Sequence, residues 1–259
     1  MAMTATGGVV EYEVKDHIAL ARLNRPEQMN AQNIEMRKAL VQTWHNIDTD
    51  PEVWVAILTG NGKAFSAGHD LKEQATAEEL RTDPGTHGVY AGLMSITKPV
   101  LAAINGPCLA QGAGVALLSD IRIAADDAVF GWPQVKRGIS SVSGPAILCR
   151  VVPENIAFEY LFTGEFITAQ EALRWGLINR VCPKAEVLDQ TFALARKILE
   201  NAPLAVRSIK EAHLRTKNVN QIEAFALGEA MAKLANQSED AKEGLAAFAE
   251  KRPPVWKGR

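Results

Sequence analysis

The chain has 259 residues, 47% of them hydrophobic and 22% charged, with a formal net charge of −2. That length suits one large domain or a domain with an appendage, able to bury about three quarters of the surface of its unfolded chain. The mixed, nearly balanced charge excludes a large basic face for nucleic acid and a charge block for a membrane surface, and no stretch approaches the roughly 18 apolar residues of a membrane span.

In chain order, "VVEYEVKDHIALARLN" (9–24) predicts two strands with a turn near Lys15-Asp16. Ile18, Leu20 and Arg22 share one face of the second strand, so the pair is expected to have one wet side. "IEMRKALVQTWHNI" (34–47) predicts a helix, because Met36, Leu40, Trp44 and Ile47 recur at helical spacing. "VWVAILTG" (53–60) is a continuous apolar run stopped by glycine, the pattern of a strand buried on both faces. The polar stretch 75–96, with Pro84, Gly85 and Gly88, predicts a mobile loop over a site. "KPVLAAING" (98–106) and, more weakly, "DIRIAADDAVFG" (120–131) repeat the buried-strand pattern, with a short buried helix at "GAGVALLS" (112–119) between them. This alternation implies parallel crossovers.

Beyond Pro145 the signals turn helical. "ENIAFEYLFTG" (154–164) ends in glycine, and "TAQEALRWG" (168–176) carries a capping box, Thr168 with Glu171, and a glycine stop. Helices are expected over 185–203, 203–217, about 220–235 and from 239 to the Pro253-Pro254 pair. The organisation predicted is a core, residues 1–200, followed by a C-terminal helical region, 201–259.

Cys108, Cys149 and Cys182 are widely spaced, with no CxxC and no His/Cys cluster at zinc spacing, so buried reduced thiols are expected rather than disulfides or a metal site. "MAMTATGGVVEYEV" has neither a basic nor an apolar leader segment, and a soluble cytoplasmic protein is expected. "GNGKAFS" fails as a phosphate loop, "GAGVAL" lacks the third dinucleotide glycine, and "GISSVSG" is not a serine-hydrolase elbow.

Two glycine-containing segments follow apolar strands: "AFSAGHDL" after "VWVAILTG", and "INGPCLAQGAGVAL" after "KPVLA". Backbone N–H groups are free where a strand turns into a helix, and two that converge would polarise a carbonyl or stabilise an enolate. The sequence does not say whether these two converge.

With "LNRPEQMNA" (23–31), "AFSAGHDLKE" (64–73), "AINGPCLAQGAGVALLSDIRIAADDAVFGWPQ" (103–134), "LFTGEFITAQEALRWGLINRV" (161–181) and the tail "FAEKRPPVWKGR" (248–259), the chain resembles the crotonase (enoyl-CoA hydratase/isomerase) superfamily over nearly its whole length. The resemblance implies an α/β fold, a spiral of β-β-α turns with a C-terminal helical trimerisation region, assembled as a homotrimer or homohexamer. It implies an acyl-CoA thioester as partner, coenzyme A being part of the substrate and no separate cofactor being needed. It places the two oxyanion donors at the N–H groups of His69 and Gln111, with Ala67, Gly68, Asp70, Leu71, Lys72 and Gly112 around the thioester end. Trp132, Gln134, Ser141 and Val142 are expected along the acyl group.

The pattern breaks at the acid–base pair. Where the family's hydratases resemble one another in two glutamates, this chain has Gly114 and Gln134, and no carboxylate stands near Val142, where some isomerases and dehalogenases carry an acid. His69 is then a candidate proton carrier, since a decarboxylase of the family is similar in its "SAGHD" stretch; decarboxylation needs an oxyanion hole more than acid–base chemistry. That decarboxylase's tyrosine aligns near Ser141. A non-catalytic acyl-CoA-binding protein is the rival from another class. Asp70 is expected to be a structural hydrogen-bonding residue, and Glu73, Glu78 and Glu79 solvated.

Overall fold

A computed structural model describes residues 8–259; residues 1–7, part of the segment read for a leader, lie outside them. In β1 (Val10–Lys15) the apolar Val10 and Tyr12 are buried and alternate with half-buried glutamates. β1 pairs antiparallel with β2 (Ile18–Leu23) across a turn in which Asp16 and His17 both take positive φ (50° and 63°). Every residue of β2 except Arg22 is buried. The wet side expected on this pair therefore belongs to β1, the edge strand: β2 lies between β1 and β3 (Val55–Gly60), and both its faces are covered.

From β2 onward the main sheet is parallel, in the order β1, β2, β3, β4 (Val100–Ile104), β6 (Ile121–Ala125), β9 (Arg180–Cys182), and a second, three-stranded sheet runs β5 (Cys108–Leu109), β7 (Val129–Gly131), β8 (Phe166–Thr168). Two turns of the chain each lay one strand in the main sheet and a short one in the second before the chain turns helical. β4 (Val100–Ile104), β5 (Cys108–Leu109) and α4 (Gln111–Leu118) form one such turn, and β6 (Ile121–Ala125) and β7 (Val129–Gly131) begin the next. The stretch 120–131, read as one strand, is thus two strands in different sheets, broken at the exposed Asp126-Asp127.

α1 (Ile34–Thr49) starts at Asn33, whose side chain accepts from Met36 N–H at 3.0 Å, and buries Met36, Leu40, Trp44 and Ile47 as its spacing predicts. The stretch 75–96 is not a loop. It forms α2 (Ala77–Thr82), opened by a Thr76–Glu79 capping box, and α3 (Gly85–Ser95), which buries Val89, Tyr90 and Leu93. Packing against α1 supplies the stability that the glycine-rich α3 lacks alone: Trp44 Nε1 donates to Val89 O at 3.1 Å, and a Cβ at Gly92 would touch Trp44 Cδ1 at 3.0 Å.

The second half is mostly helical: α5 (Cys149–Val151), α6 (Glu154–Thr163), α7 (Ala169–Arg174), α8 (Val187–Leu199), α9 (Pro203–Thr216), α10 (Gln221–Asn236) and α11 (Glu239–Glu250). The Thr168–Glu171 capping box forms, and Gly164 and Gly176 end their helices with φ of 66° and 73°. Two three-residue strands, β8 (Phe166–Thr168) and β9 (Arg180–Cys182), interrupt this half; strands so short carry no periodicity to read. α8 packs on β3, β4 and β6, whereas α9 and α10 pack on each other and bury no residue. The C-terminus folds back: Trp256 Nε1 donates to Glu200 O, and the buried Asp240 carboxylate accepts the N–H groups of Lys257 and Gly258. Cys108 and Cys182 are buried and Cys149 is half-buried, all three as thiols. No helix among the described residues is long and apolar enough to cross a membrane.

Candidate active site

The two glycine-containing segments do converge, and hydrogen bonds between them say why. Phe65 and Ser66 N–H donate to Pro107 O at 3.1 and 3.2 Å, and Leu109 N–H returns to Ser66 O at 2.8 Å. A third segment closes the arrangement: Ala67 N–H donates to Met29 O, Gln32 N–H to Gly68 O, and Asp70 N–H to Gln32 O. Ser66 Oγ, fully buried, donates to Asn30 O at 2.8 Å and accepts from Gly68 N–H at 3.2 Å.

Gly68 has φ of +93°, and a Cβ there would meet Ala110 Cβ at 2.8 Å, Leu109 O at 2.9 Å and Gln111 N at 3.1 Å. A Cβ at Gly112 would meet Ser66 Cβ at 2.6 Å. Both glycines are therefore needed for close approach of backbone to backbone. Ala110, the residue before α4, sits at φ 50°, ψ −116°, a strained conformation for alanine held by its N–H donating to Gly131 O at 2.8 Å. The turn at Ala110 delivers Gln111 as the first residue of α4, where helical geometry leaves the N–H unpaired. Neither the His69 nor the Gln111 backbone N–H finds an acceptor among the described residues.

The His69 imidazole is held at both nitrogens. Nδ1 lies 3.0 Å from Gln111 Oε1 and Nε2 lies 3.3 Å from Arg37 Nη1. A guanidinium only donates, so Nε2 accepts and the ring proton sits on Nδ1, facing the amide oxygen. Arg37 is buried in turn, forked onto Asp83 (Nε–Oδ1 2.8 Å, Nη2–Oδ2 2.7 Å), with Nη1 donating to Gln32 O and Nη2 to Glu73 Oε2 at 3.3 Å. These hydrogen bonds, foremost those of Arg37, hold the Asp83 carboxyl below the ordinary aspartate range. Glu73, expected to be solvated, instead accepts the Ile34 N–H at 2.6 Å and braces the start of α1, because that helix N-terminus has free donors. Asp70 takes the structural role expected: Oδ2 accepts from Arg25 Nη1 at 2.9 Å and Oδ1 from Lys72 N–H at 3.1 Å. Burial pushes the Asp70 carboxyl up, but these two bonds outweigh it and the net direction is down.

A cleft of about 330 Å³ opens beside this point. Ala67, His69, Leu71, Gln111, Gln134, Ser141 and Val142 of the expected residues line it, and it has no carboxylate in its lining. Gly68 and Gly112 stand behind the wall as backbone spacers, while Asp70 and Lys72 line a separate surface depression with Arg25 and Lys38. Trp132, expected along the acyl group, is buried behind the wall, its Nε1 donating to Ser143 Oγ at 2.8 Å; the indole needed that partner once buried. Two buried polar atoms of the lining have no partner among the described residues: Gln111 Nε2, on a side chain only 5% exposed, and Gln134 Oε1.

Sequence reasoning missed Arg37 and Tyr90. Arg37 could have been found: it lies three residues before Leu40 and seven before Trp44, a charge on the apolar stripe of α1. Tyr90, whose hydroxyl donates to Gln111 O at 3.2 Å from the cleft wall, lies in a stretch too rich in glycine to give such a signal.

A spiral of two sheets whose strand ends present two free N–H groups to a cleft defines a crotonase-fold protein. The family model for enoyl-CoA hydratase/isomerase matches residues 13–259. The carnitinyl-CoA dehydratase of Salmonella enteritidis is 41% identical over 246 residues, covering 92% of this chain and 94% of that protein. The (E)-benzylidenesuccinyl-CoA hydratase of Thauera aromatica is 36% identical over 253 residues, covering 96% and 99%. The crystal structure of an enoyl-CoA hydratase from Bacillus anthracis superimposes with a TM-score of 0.90 at 32% identity, covering 96% of this chain and 99% of that one. The chain belongs to the enoyl-CoA hydratase/isomerase family, whose members process acyl-CoA thioesters.

Proposed function

We propose that the protein binds an acyl-CoA thioester with its carbonyl oxygen between the N–H groups of His69 and Gln111, and that these donors stabilise the enolate formed beside it. The supporting observation is the pair of N–H groups without acceptors, held by the interlocked loops at the cleft. Donors fixed in advance stabilise developing charge without reorganising. Coenzyme A enters as part of the substrate, with Asp70 and Lys72 on its side of the site and Gln134, Ser141 and Val142 on the acyl side. The enzyme works in the cytoplasm as a trimer or hexamer.

Gly114 and Gln134 stand where the hydratases carry carboxylates, and the cleft lining has none. Hydration needs a general base for the water, so this site favours reactions that reach the enolate by losing carbon dioxide or another carbon electrophile. The names of the two relatives make hydration the rival reaction. His69 serves through its backbone; with its ring nitrogens engaged by Gln111 and Arg37, the imidazole positions rather than carries protons. An open cleft, with its wall braced by Gly144 N–H on Ser141 Oγ and by Ser143 Oγ on Ala110 O, favours an enzyme over a binding protein with a filled site.

The test is a panel of enoyl-, 3-hydroxyacyl- and malonyl-type CoA esters with products read by mass, run on wild type and Gly68→Ala. Carbon dioxide loss from malonyl-type esters and slow or no gain of water by enoyl esters are expected. Gly68→Ala, which forces the two donors apart, is expected to lower turnover by about 10²–10³-fold with far-UV circular dichroism unchanged. Fast hydration by wild type would overturn the reading.

A further inference from the structure

The absent carboxylate at position 114 has a structural counterpart. Gly114 is buried, and a Cβ there would overlap the Tyr90 hydroxyl, lie 2.5 Å from Tyr90 Cζ and 2.7 Å from Ser143 Cβ. A side chain at 114, a glutamate above all, requires Tyr90 to move from where it stands. The phenol occupies the space that a carboxylate from 114 would enter. It is brought there by α3, whose Val89 and Leu93 anchor it against α1, and it lines the cleft beside Gln111 and Gln134. Its hydroxyl donates to Gln111 O, on the residue whose N–H is one of the two free donors.

A phenol differs from a carboxylate in kind. Burial, chiefly, pushes Tyr90 up to about 12, so at neutral pH it is a protonated acid and not a base. It can give a proton to a carbanion but cannot activate water.

Building on the enolate reading above, we propose that Tyr90 is a catalytic acid that delivers a proton to the α-carbon of the thioester enolate, and that the substrates are acyl-CoA esters bearing a carboxylate on that carbon. The bond from the α-carbon to the carboxylate breaks, carbon dioxide leaves, and the electron pair passes into the enolate, whose oxygen is held by the His69 and Gln111 N–H groups. The Tyr90 O–H bond then breaks as the α-carbon takes its proton, the thioester carbonyl re-forms, and the phenolate recovers a proton from solvent. The sum is a 2-carboxyacyl thioester plus one proton giving the acyl thioester and carbon dioxide. Gln111 Nε2 and Gln134 Oε1, unpartnered in the cleft wall, are left to bind polar atoms of the substrate.

The test uses methylmalonyl-CoA in deuterium oxide with wild type and Tyr90→Phe, which keeps the ring against Gly114 and removes only the hydroxyl. Wild type is expected to release carbon dioxide and give propionyl-CoA deuterated on one face of the α-carbon. Tyr90→Phe, in which solvent protonates the enolate, is expected to give nearly equal amounts of the two deuterated enantiomers with KM unchanged. Single-face deuteration retained in Tyr90→Phe overturns the assignment of Tyr90 alone. A wild type that binds methylmalonyl-CoA without turning it over overturns the substrate class, and with it the proton delivery inferred from it. The panel then decides whether enolate stabilisation itself survives on another ester.

Discussion

Arg37 fixes the wall beside the cleft, since one guanidinium whose side chain is 2% exposed ties together Asp83, Glu73, Gln32 and His69. Arg37→Met keeps much of the volume and leaves two carboxylates without their cation; breaking a buried pair this way costs about 3–5 kcal/mol. The cost depends on pH with a definite sign. Because the Asp83 carboxyl is held below its ordinary 3.8, the native state keeps it charged where the unfolded chain takes up a proton. That stability is whole above the ordinary value and is lost as pH falls through the lower native one. Chemical denaturation should therefore show the gap between wild type and Arg37→Met unchanged from pH 7 down to the ordinary aspartate value of 3.8 and narrowing only below it. At this scale the sequence was legible where a role is local. Asp70 beside Lys72 could be read as a structural hydrogen-bonding residue because its partner is two positions away. His69 could not: its partners Arg37 and Gln111 lie 32 and 42 positions off, on two different helices, and nothing near His69 announces them.

Among the elements, those with strong periodicity or caps were readable. The helix expected over 34–47 forms and runs two residues further, to Thr49, and the Thr168–Glu171 box forms as expected, the first from an apolar stripe and the second from two reciprocal hydrogen bonds within four residues. Thr76–Glu79 forms the same box, at the start of a stretch whose polarity, Pro84, Gly85 and Gly88 predict a loop. The cap opens α2 and packing on α1 holds α3, which is how tertiary contact overrides weak propensity. Thr168→Ala removes one hydroxyl that accepts the Glu171 N–H at 3.2 Å, and should lower the unfolding free energy by about 1 kcal/mol. A urea titration would register it as a lower midpoint with the slope unchanged.

Across the whole molecule, apolar surface is left over at the C-terminal helices. Ile222 is 83% exposed, Phe225 68% and Phe248 85%, and α9 and α10 have no buried residue of their own. Patches of this kind mark association surfaces, and further copies of this chain are the occupant proposed here. Ile222→Glu with Phe225→Glu should shift sedimentation from the trimer or hexamer towards the monomer while helicity stays unchanged; a wild type that sediments as a monomer at all concentrations would refute this. The spiral was readable in outline, from buried strands alternating with helices, whereas the splitting of 120–131 between two sheets was not: Asp126-Asp127 marks a break, but nothing local says that the three residues after it join a different sheet.

The fit of Tyr90 against Gly114 also governs how this site can change over generations. Glutamate placed at 114 alone meets the phenol, and truncating Tyr90 alone opens a hole costing about 3–5 kcal/mol by the measure of buried aromatic truncations. Each single step is a loss, so the two positions are coupled: their joint effect differs from the sum of the separate ones. Scanning one site at a time would score both residues as immovable. A library that varies 90 and 114 together is the route by which a carboxylate could enter this cleft.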